Sequence, residues 1–400
     1  MEKLKRKKYI VITVLLILVT NAASIFLIES GLVTIGDRVV VTAGDQETAR
    51  GLQKLAFLKE KIDDSYYQDV DSNTLMEGAM KGLFEATGDQ YSGYYNEEEF
   101  TKLMETSTGS FSGIGVVVTE DETGTAMVVT PYKNTPAGNA GVQAGDRIVA
   151  VNGEDVTGKG IDHAVNLMRG DAGTPVSITV ERNGASQTFD LTREDIDTPT
   201  VDSKNMDGIG YIAITEFTQK TSDDFNAQLD ALMAQNITGL VIDLRYNGGG
   251  LVTSAVAVAD RLLGDTEVVY TVNKQGDRKD YKSTGDVKLN IPIAVLVNGG
   301  TASASEILSG AIQDTGAGKL VGTKTFGKGI VQDVVPLSDG SGYKVTSASY
   351  YTPKGRSIHG VGLEPDVAVD QNPEYQNTLT VPEDQDIQLQ KALEILRNGQ

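Results

Sequence analysis

Cysteine and tryptophan are absent from this 400-residue chain, and histidine occurs only at His163 and His359. Without cysteine there is no disulfide, no thiolate zinc site, no cysteine nucleophile and no lipidated cysteine to hold the chain at a membrane. No His-Glu-x-x-His is present, so a metalloprotease has no ligands, and a serine–histidine triad would have to recruit His359 from Ser357-Ile358-His359-Gly360. The Gly-x-x-x-x-Gly-Lys-Ser/Thr phosphate loop and any dinucleotide fingerprint are missing too, so neither a metal nor a cofactor is expected. Positive charge is also scarce. There are 35 Lys and Arg against 55 Asp and Glu, a net charge of −20. Such a body repels nucleic acid and anionic lipid. No basic stripe with interleaved aromatics relieves it, so no nucleic-acid partner is expected.

The little positive charge is crowded at the start. Lys3, Lys5, Arg6, Lys7 and Lys8 precede Tyr9–Ile28, a mostly apolar stretch of roughly the 20 residues that a bilayer-spanning helix needs. Charge of this sign stays inside, which puts residues 30–400 on the outer side of a cell membrane. A single-pass anchor over residues 1–30 is the reading. A cleaved signal peptide stays open, although Ala22-Ala23-Ser24 offers small residues without a clean Ala-x-Ala site. In both cases the body is extracytoplasmic.

Hydrophobic periodicity divides that body. A linker and helical region occupies residues 31–108: Leu52, Leu55, Ala56 and Leu58, then Leu75, Ala79, Leu83 and Phe84, recur at helical spacing. Gly88-Asp89 breaks the pattern before the tyrosine-rich Tyr91-Ser92-Gly93-Tyr94-Tyr95. Asn96 before Glu97-Glu98-Glu99 reads as a helix cap. This region suggests packing or dimerisation and nothing catalytic. Residues 109–193 alternate as short strands (115–119, 126–130, 147–151, 176–182, 186–192) around a short helix at 161–168. Over 194–370 the pattern is βα: strands at 209–214, 239–244 and 293–297 alternate with helices at 221–235, where Ser222 is the expected cap, at 251–263 and at 303–313. Residues 371–400 form a tail with helical periodicity. The fold class is multidomain α+β. The tail helix and the 46–105 region are the candidate surfaces for a homodimer.

Two apolar strands run into glycine-rich turns before helices, the α/β signature of a site at strand C-termini. The first turn is Arg245-Tyr246-Asn247-Gly248-Gly249-Gly250, whose backbone N–H groups can form an anion-binding nest. The second runs Asn298-Gly299-Gly300-Thr301-Ala302-Ser303-Ala304-Ser305-Glu306. Ser303 at a helix N-terminus would project its hydroxyl beside free N–H groups, or it is simply an N-cap. A serine nucleophile needs a base, and with histidine so scarce a desolvated lysine is the substitute. Lys328 in Phe326-Gly327-Lys328-Gly329 stands at the glycine-rich start of an apolar strand, with Gln332 four positions on. Gln332 can orient the amine without adding charge. A solvated lysine in a hairpin is the plainer alternative.

Taken together these motifs resemble the carboxyl-terminal processing proteases, the tail-specific serine peptidases. Asp243-Leu244-Arg245-Tyr246-Asn247-Gly248-Gly249-Gly250, Thr301–Glu306, Phe326–Gly329 with Gln332, Ser338-Asp339-Gly340-Ser341-Gly342 and Tyr351–Arg356 through Pro365-Asp366 follow that family's order over about residues 47–370. The resemblance implies an α/β serine-protease core and a serine-type endopeptidase with a Ser303–Lys328 dyad assisted by Gln332. Its oxyanion hole would come from the Ala304 N–H and an N–H of Gly249 or Gly250. Residues 109–193 in turn resemble a PDZ domain. Its carboxylate-binding loop falls at Gly113, Ile114, Gly115 and Val116, which implies capture of exposed apolar C-terminal tails. His163 opens the helix that lines such a groove, as a ligand contact or a surface residue. The expected function is cleavage of exported proteins near their C-termini, with the PDZ domain also gating the site. The rival is a non-catalytic PDZ-based peptide-binding scaffold.

Overall fold

The computed structural model describes residues 32–35, 38–41, 46–285, 288–375 and 381–398. The expected membrane anchor lies outside the described residues, among which no helix is long and apolar enough to cross a membrane. The chain divides into two units, Met1–Leu83 and Phe84–Gln400. In the first, strands Leu32–Ile35 and Arg38–Val41 pair antiparallel and helix Gln46–Ser65 follows. That helix leaves Leu52, Phe57, Leu58 and Ile62 exposed. Helix Ser72–Glu85 comes next in the chain.

The second unit is organised by a six-stranded sheet in the order Val201–Met206, Ile209–Ile214, Gly239–Asp243, Ile293–Val297, Gly318–Gly322, Val367–Ala368. All neighbours are parallel except the first pair. Every residue of Gly239–Asp243 and Ile293–Val297 is buried, as befits strands covered on both faces. Alternation sorts them: Leu240 and Ile242 join the core under helices Thr221–Met233, Val252–Leu262 and Ala304–Thr315, while Val241 faces the opposite layer. That layer is the C-terminal helix Ile387–Arg397, whose Leu389, Ala392, Leu393, Ile395 and Leu396 cover Val241, Ala294, Leu296 and Val321. The tail is therefore not a free dimerisation surface; its apolar stripe completes the sheet's own core. Helix Thr221–Met233 also starts differently from expectation. Its leading hydroxyl is Thr221, whose Oγ1 accepts the Thr218 N–H at 2.9 Å, and Ser222 lies inside the helix.

A second sheet packs beside the first: Arg278–Lys282, Glu267–Asn273, Gly342–Tyr351 and Ile330–Pro336 in that order, with Gly93–Tyr95 pairing antiparallel to Gly342–Lys344. The tyrosine-rich segment thus belongs to this second sheet. Tyr94 and Phe100 are buried there. The next helix, Glu97–Thr108, starts as expected: Asn96 Oδ1 accepts the Glu99 N–H at 3.0 Å and Glu99 Oε2 accepts the Asn96 N–H at 3.0 Å.

Strands Ser110–Gly113 and Glu194–Asp197 pair as a ribbon where the chain enters and leaves the small β-domain. Its sheet runs Ala185–Thr192, Pro175–Arg182, Arg147–Val151, Ala126–Pro131, Val116–Glu120, around a separate core that includes Ile114, Val128, Ile148 and Ile178. Helix Ile161–Met168 lies where the periodicity puts it. Strand Val116–Glu120 is an edge strand, open on the side away from Ala126–Pro131.

Candidate active site

Ser303 is held by two interlocked strand-to-helix turns. Asn298 Oδ1 accepts the Tyr246 N–H at 2.9 Å and the Gly300 N–H at 3.0 Å. Thr301 Oγ1 donates to the Leu244 carbonyl at 2.8 Å, and Ser305 Oγ to the Asn247 carbonyl at 3.0 Å. Ser303 sits at the head of helix Ala304–Thr315 with φ 55° and ψ −116°, a left-handed conformation that costs a non-glycine residue on the order of 1–3 kcal/mol. The lacing around it, together with the Tyr350 hydroxyl donating to the Ser303 carbonyl at 3.0 Å, holds that geometry. Ser303 is at the same time the N-cap of this helix, in a capping box with Glu306, although Ser, Asn and Asp caps normally stay in the β region.

The glycine turn presses directly against this serine. A Cβ on Gly249, whose φ is 107°, would lie 2.8 Å from Ser303 Cβ and 2.9 Å from the Ala304 nitrogen. One on Gly250 would lie 2.2 Å from the Phe217 carbonyl oxygen. Ala304 is fully buried, and neither its N–H nor that of Gly250 has a hydrogen-bond partner among the described residues. The Gly249 N–H, in contrast, donates to Asn247 Oδ1 at 2.8 Å, so in this conformation it is engaged within its own turn.

A buried carboxylate joins the two halves of the site. Glu306 is completely inaccessible. Its Oε2 accepts the N–H of Ser303 at 3.0 Å and of Lys328 at 2.9 Å, and its Oε1 accepts the Gly327 N–H at 2.8 Å and the Thr325 hydroxyl at 2.5 Å. One side chain thereby fixes the backbone of the serine and of the lysine together. In the sequence Glu306 was visible only as part of the motif around Ser303.

The Lys328 side chain is held more loosely. It is half-buried just before strand Ile330–Pro336, and desolvation, joined by the charge of Lys344, pulls its pKa below the usual lysine value against the opposing charge of Asp89. Its amine makes no hydrogen bond with Ser303 or Gln332 among the described residues. It lies 4.4 Å from the ring centroid of Tyr91. Gln332 Nε2 reaches Thr346 Oγ1 at 3.4 Å, a long bond, beside a β-bulge at Val331/Gln332. Asp89 completes the patch. Burial opposes its charged form, but hydrogen bonds from Ser92, Thr346 and the Tyr91 N–H and the Lys328 charge hold its pKa below the usual value.

Behind the glycine turn, Arg245 does not face Ser303. It bonds Asp243 at 2.6 Å and Asp386 at 2.7 Å, tying the turn to the tail helix. Burial disfavours its charge, yet the two carboxylates raise its pKa overall.

In the small β-domain, Gly113, Ile114, Gly115 and Val116 line a groove of about 280 Å³ with Phe111, Tyr132, Val165, Met168 and Arg169. The groove runs along the open edge of strand Val116–Glu120, its walls largely apolar. Gly115 has φ 78° and is pressed against Thr135. His163 is not among the lining residues; it is exposed and pairs with Glu154 at 2.9 Å. Arg169, at the end of the helix, bonds Glu105 and lies 5.5 Å from the Phe111 ring. Among the described residues no cluster of His, Asp and Glu has the arrangement of a metal site.

Comparison with known proteins follows the same division. The chain matches the family model for peptidase family S41 over residues 208–369, that for a PDZ domain over 127–182, and that for the activating protease CtpB N-terminal domain over 32–99. It is 38% identical over 341 residues to a carboxy-terminal-processing protease of Bartonella bacilliformis, covering 83% of this chain and 78% of that protein. It is 37% identical over 338 residues to the carboxy-terminal processing protease CtpB of Bacillus subtilis, covering 83% and 70%. Among solved structures, the photosystem II D1 C-terminal processing protease aligns with a TM-score of 0.50 at 29% identity over 88% of this chain and 97% of that one.

Proposed function

The chain belongs to the carboxyl-terminal processing proteases of peptidase family S41 and carries a PDZ domain, and from that membership we propose that Ser303 and Lys328 are its catalytic dyad. The observation that carries this reading is the buried Glu306 carboxylate, which binds the backbone N–H groups of both residues while Ser303 is kept in a left-handed conformation. Ser303 Oγ attacks the scissile carbonyl and its proton passes to the neutral Lys328 amine. The oxyanion forms at the Ala304 N–H and the glycine turn, where Gly250 offers the free donor and Gly249 must first leave Asn247. Lys328 then protonates the leaving amine, and water hydrolyses the acyl-enzyme. Gln332 orients the amine once it has turned from Thr346.

The groove along Val116–Glu120 takes the substrate's C-terminal tail as an added strand, with the terminal carboxylate at Gly113, Ile114, Gly115 and Val116 and apolar side chains within. Tail capture also gates the dyad by realigning Lys328 with Ser303. The enzyme works outside the cytoplasm, anchored through Tyr9–Ile28, and the helical segment 46–105 serves homodimerisation. These assignments rest on the charge asymmetry of the N-terminus and on the exposed Leu52, Phe57 and Leu58.

The test uses a protein with an apolar C-terminal tail, free or amidated, incubated with wild type, Ser303→Ala or Lys328→Ala and followed by mass spectrometry. Cleavage near the free C-terminus, lost in both variants and sharply reduced by amidation, is the expected result. Tail binding without cleavage by wild type would identify a scaffold instead. Equal cleavage of the amidated protein would point to an esterase or amidase indifferent to tails. Deleting residues 109–193 with unchanged kinetics would reject the gating role.

A further inference from the structure

We propose that Tyr91, supported by Asp89, is a positioning residue that parks the Lys328 amine away from Ser303, so that each acylation requires the amine to leave the Tyr91 ring. This rests on the Ser303–Lys328 dyad assigned above. The geometry is specific. Lys328 Nζ lies 4.4 Å from the Tyr91 centroid, inside the roughly 6 Å range in which a ring face attracts a cation. A ring face attracts the ammonium and has no comparable hold on the free amine. The contact therefore favours both the wrong place and the wrong protonation state for a general base.

Asp89 acts with the same sign. Its carboxylate accepts the Tyr91 N–H at 3.0 Å and the Ser92 hydroxyl at 2.5 Å, and Ser92 Oγ in turn accepts the Thr346 N–H at 2.9 Å. The patch is thus fastened to the strand that also holds Gln332's present partner, Thr346. Against it stand burial of Lys328 and the charge of Lys344, whose own amine lies 5.7 Å from the Tyr95 ring. Tyr91 is also only a short strand away from helix Glu97–Thr108, which leads directly into Ser110–Gly113 at the peptide groove. A substrate tail in that groove accordingly has a one-helix connection to the ring that holds the base.

The experiment is the burst of p-nitrophenol from a small p-nitrophenyl ester without a peptide tail, measured against pH on the full chain. The burst reports formation of the Ser303 Oγ–carbonyl bond, with the phenolate leaving and the serine proton passing to Lys328. In Tyr91→Leu the burst rate should rise roughly three- to thirty-fold at pH values where wild-type Lys328 is charged, and the midpoint of the acid limb should move to lower pH. Tyr91→Phe, which keeps the ring face, should restore the wild-type rate and midpoint. Asp89→Asn should move the midpoint in the same direction as Tyr91→Leu, and it carries the test if the leucine variant does not fold. An unchanged or slower burst in Tyr91→Leu, or an unmoved midpoint in Asp89→Asn, overturns the proposal. Lys328→Ala separates the two readings: a wild-type burst there would remove the dyad itself, whereas a lost burst with an unresponsive Tyr91→Leu removes only the parking.

Discussion

Ser303 and Lys328 share one buried carboxylate, yet their side chains live under different constraints. The serine is locked: its backbone is left-handed, its carbonyl is bonded by Tyr350, and its neighbour Gly249 leaves no room for a single methyl. The lysine is fixed at its backbone by Glu306, but its amine rests on a half-buried patch assembled from Tyr91, Asp89 and the strand bearing Thr346. A nucleophile held in this way can be built once and left rigid. The proposed base, which must change both position and charge, cannot. On the proposed dyad, control of the base lies on the lysine side, while on the serine side only the Gly249 N–H has to be released from Asn247.

Crowding the rigid side should have the largest effect. In Gly249→Ala the new methyl would lie 2.8 Å from both Ser303 Cβ and the Ala302 carbonyl oxygen, at a φ of 107° that alanine resists. Neither neighbour is a flexible side-chain end, so the serine turn must shift. Loss of oxyanion alignment costs roughly 10²- to 10³-fold in kcat, with KM for a tailed substrate little changed because the peptide groove is remote in sequence and built by another domain. Steady-state kinetics on that substrate check the split. A loss confined to KM would show that the turn is less rigid than this contrast requires.

Glu306→Gln comes next, because it loosens both residues at once. An amide offers one acceptor oxygen to four donors and turns its own N–H groups toward the rest. At least one buried N–H is left without a partner, at roughly 1–3 kcal/mol each. Chemical denaturation should register a loss of about 2–4 kcal/mol. The burst with a small ester should fall as well, since Ser303 and Lys328 no longer share an anchor. Full stability with normal kinetics would separate the two halves of the site.

Much of this arrangement could be read from local pattern. The strands 239–243 and 293–297 are apolar except for Asp243 and run into glycine-rich turns, so those turns and Ser303 were visible at short range. Lys328 stood out for its flanking glycines and for the scarcity of histidine. Tyr91 and Asp89 were not visible, because their link to Lys328 depends on Gly93–Tyr95 pairing with Gly342–Lys344, a register set by tertiary packing. The strand Gly342–Tyr351 is itself half-buried along most of its length and lacks the two-residue alternation that marks a strand in sequence. The tail helix was seen as a helix but its partner was not, since an amphipathic stripe says that a face will be covered and not by what. Here five of its side chains close the sheet, and Asp386 fastens it to Arg245.

The smallest effect is expected where the rigid side loses a single bond. Tyr350 is almost wholly buried, with its hydroxyl donating to the Ser303 carbonyl at 3.0 Å. Burial raises the phenol's pKa well above the usual tyrosine value, helped by the charge of Glu306, so the hydroxyl stays a donor throughout the working pH range. Tyr350→Phe keeps the ring in the core and removes only that donor. One neutral hydrogen bond contributes about 0.5–1.5 kcal/mol. A thermal melt should therefore show a small loss and the ester burst less than a tenfold drop, with no movement of the acid-limb midpoint, because nothing near the Lys328 amine has changed. A shifted midpoint would mean that the serine backbone and the lysine charge are coupled through Tyr350 and Glu306, and that the two sides of the site do not act independently.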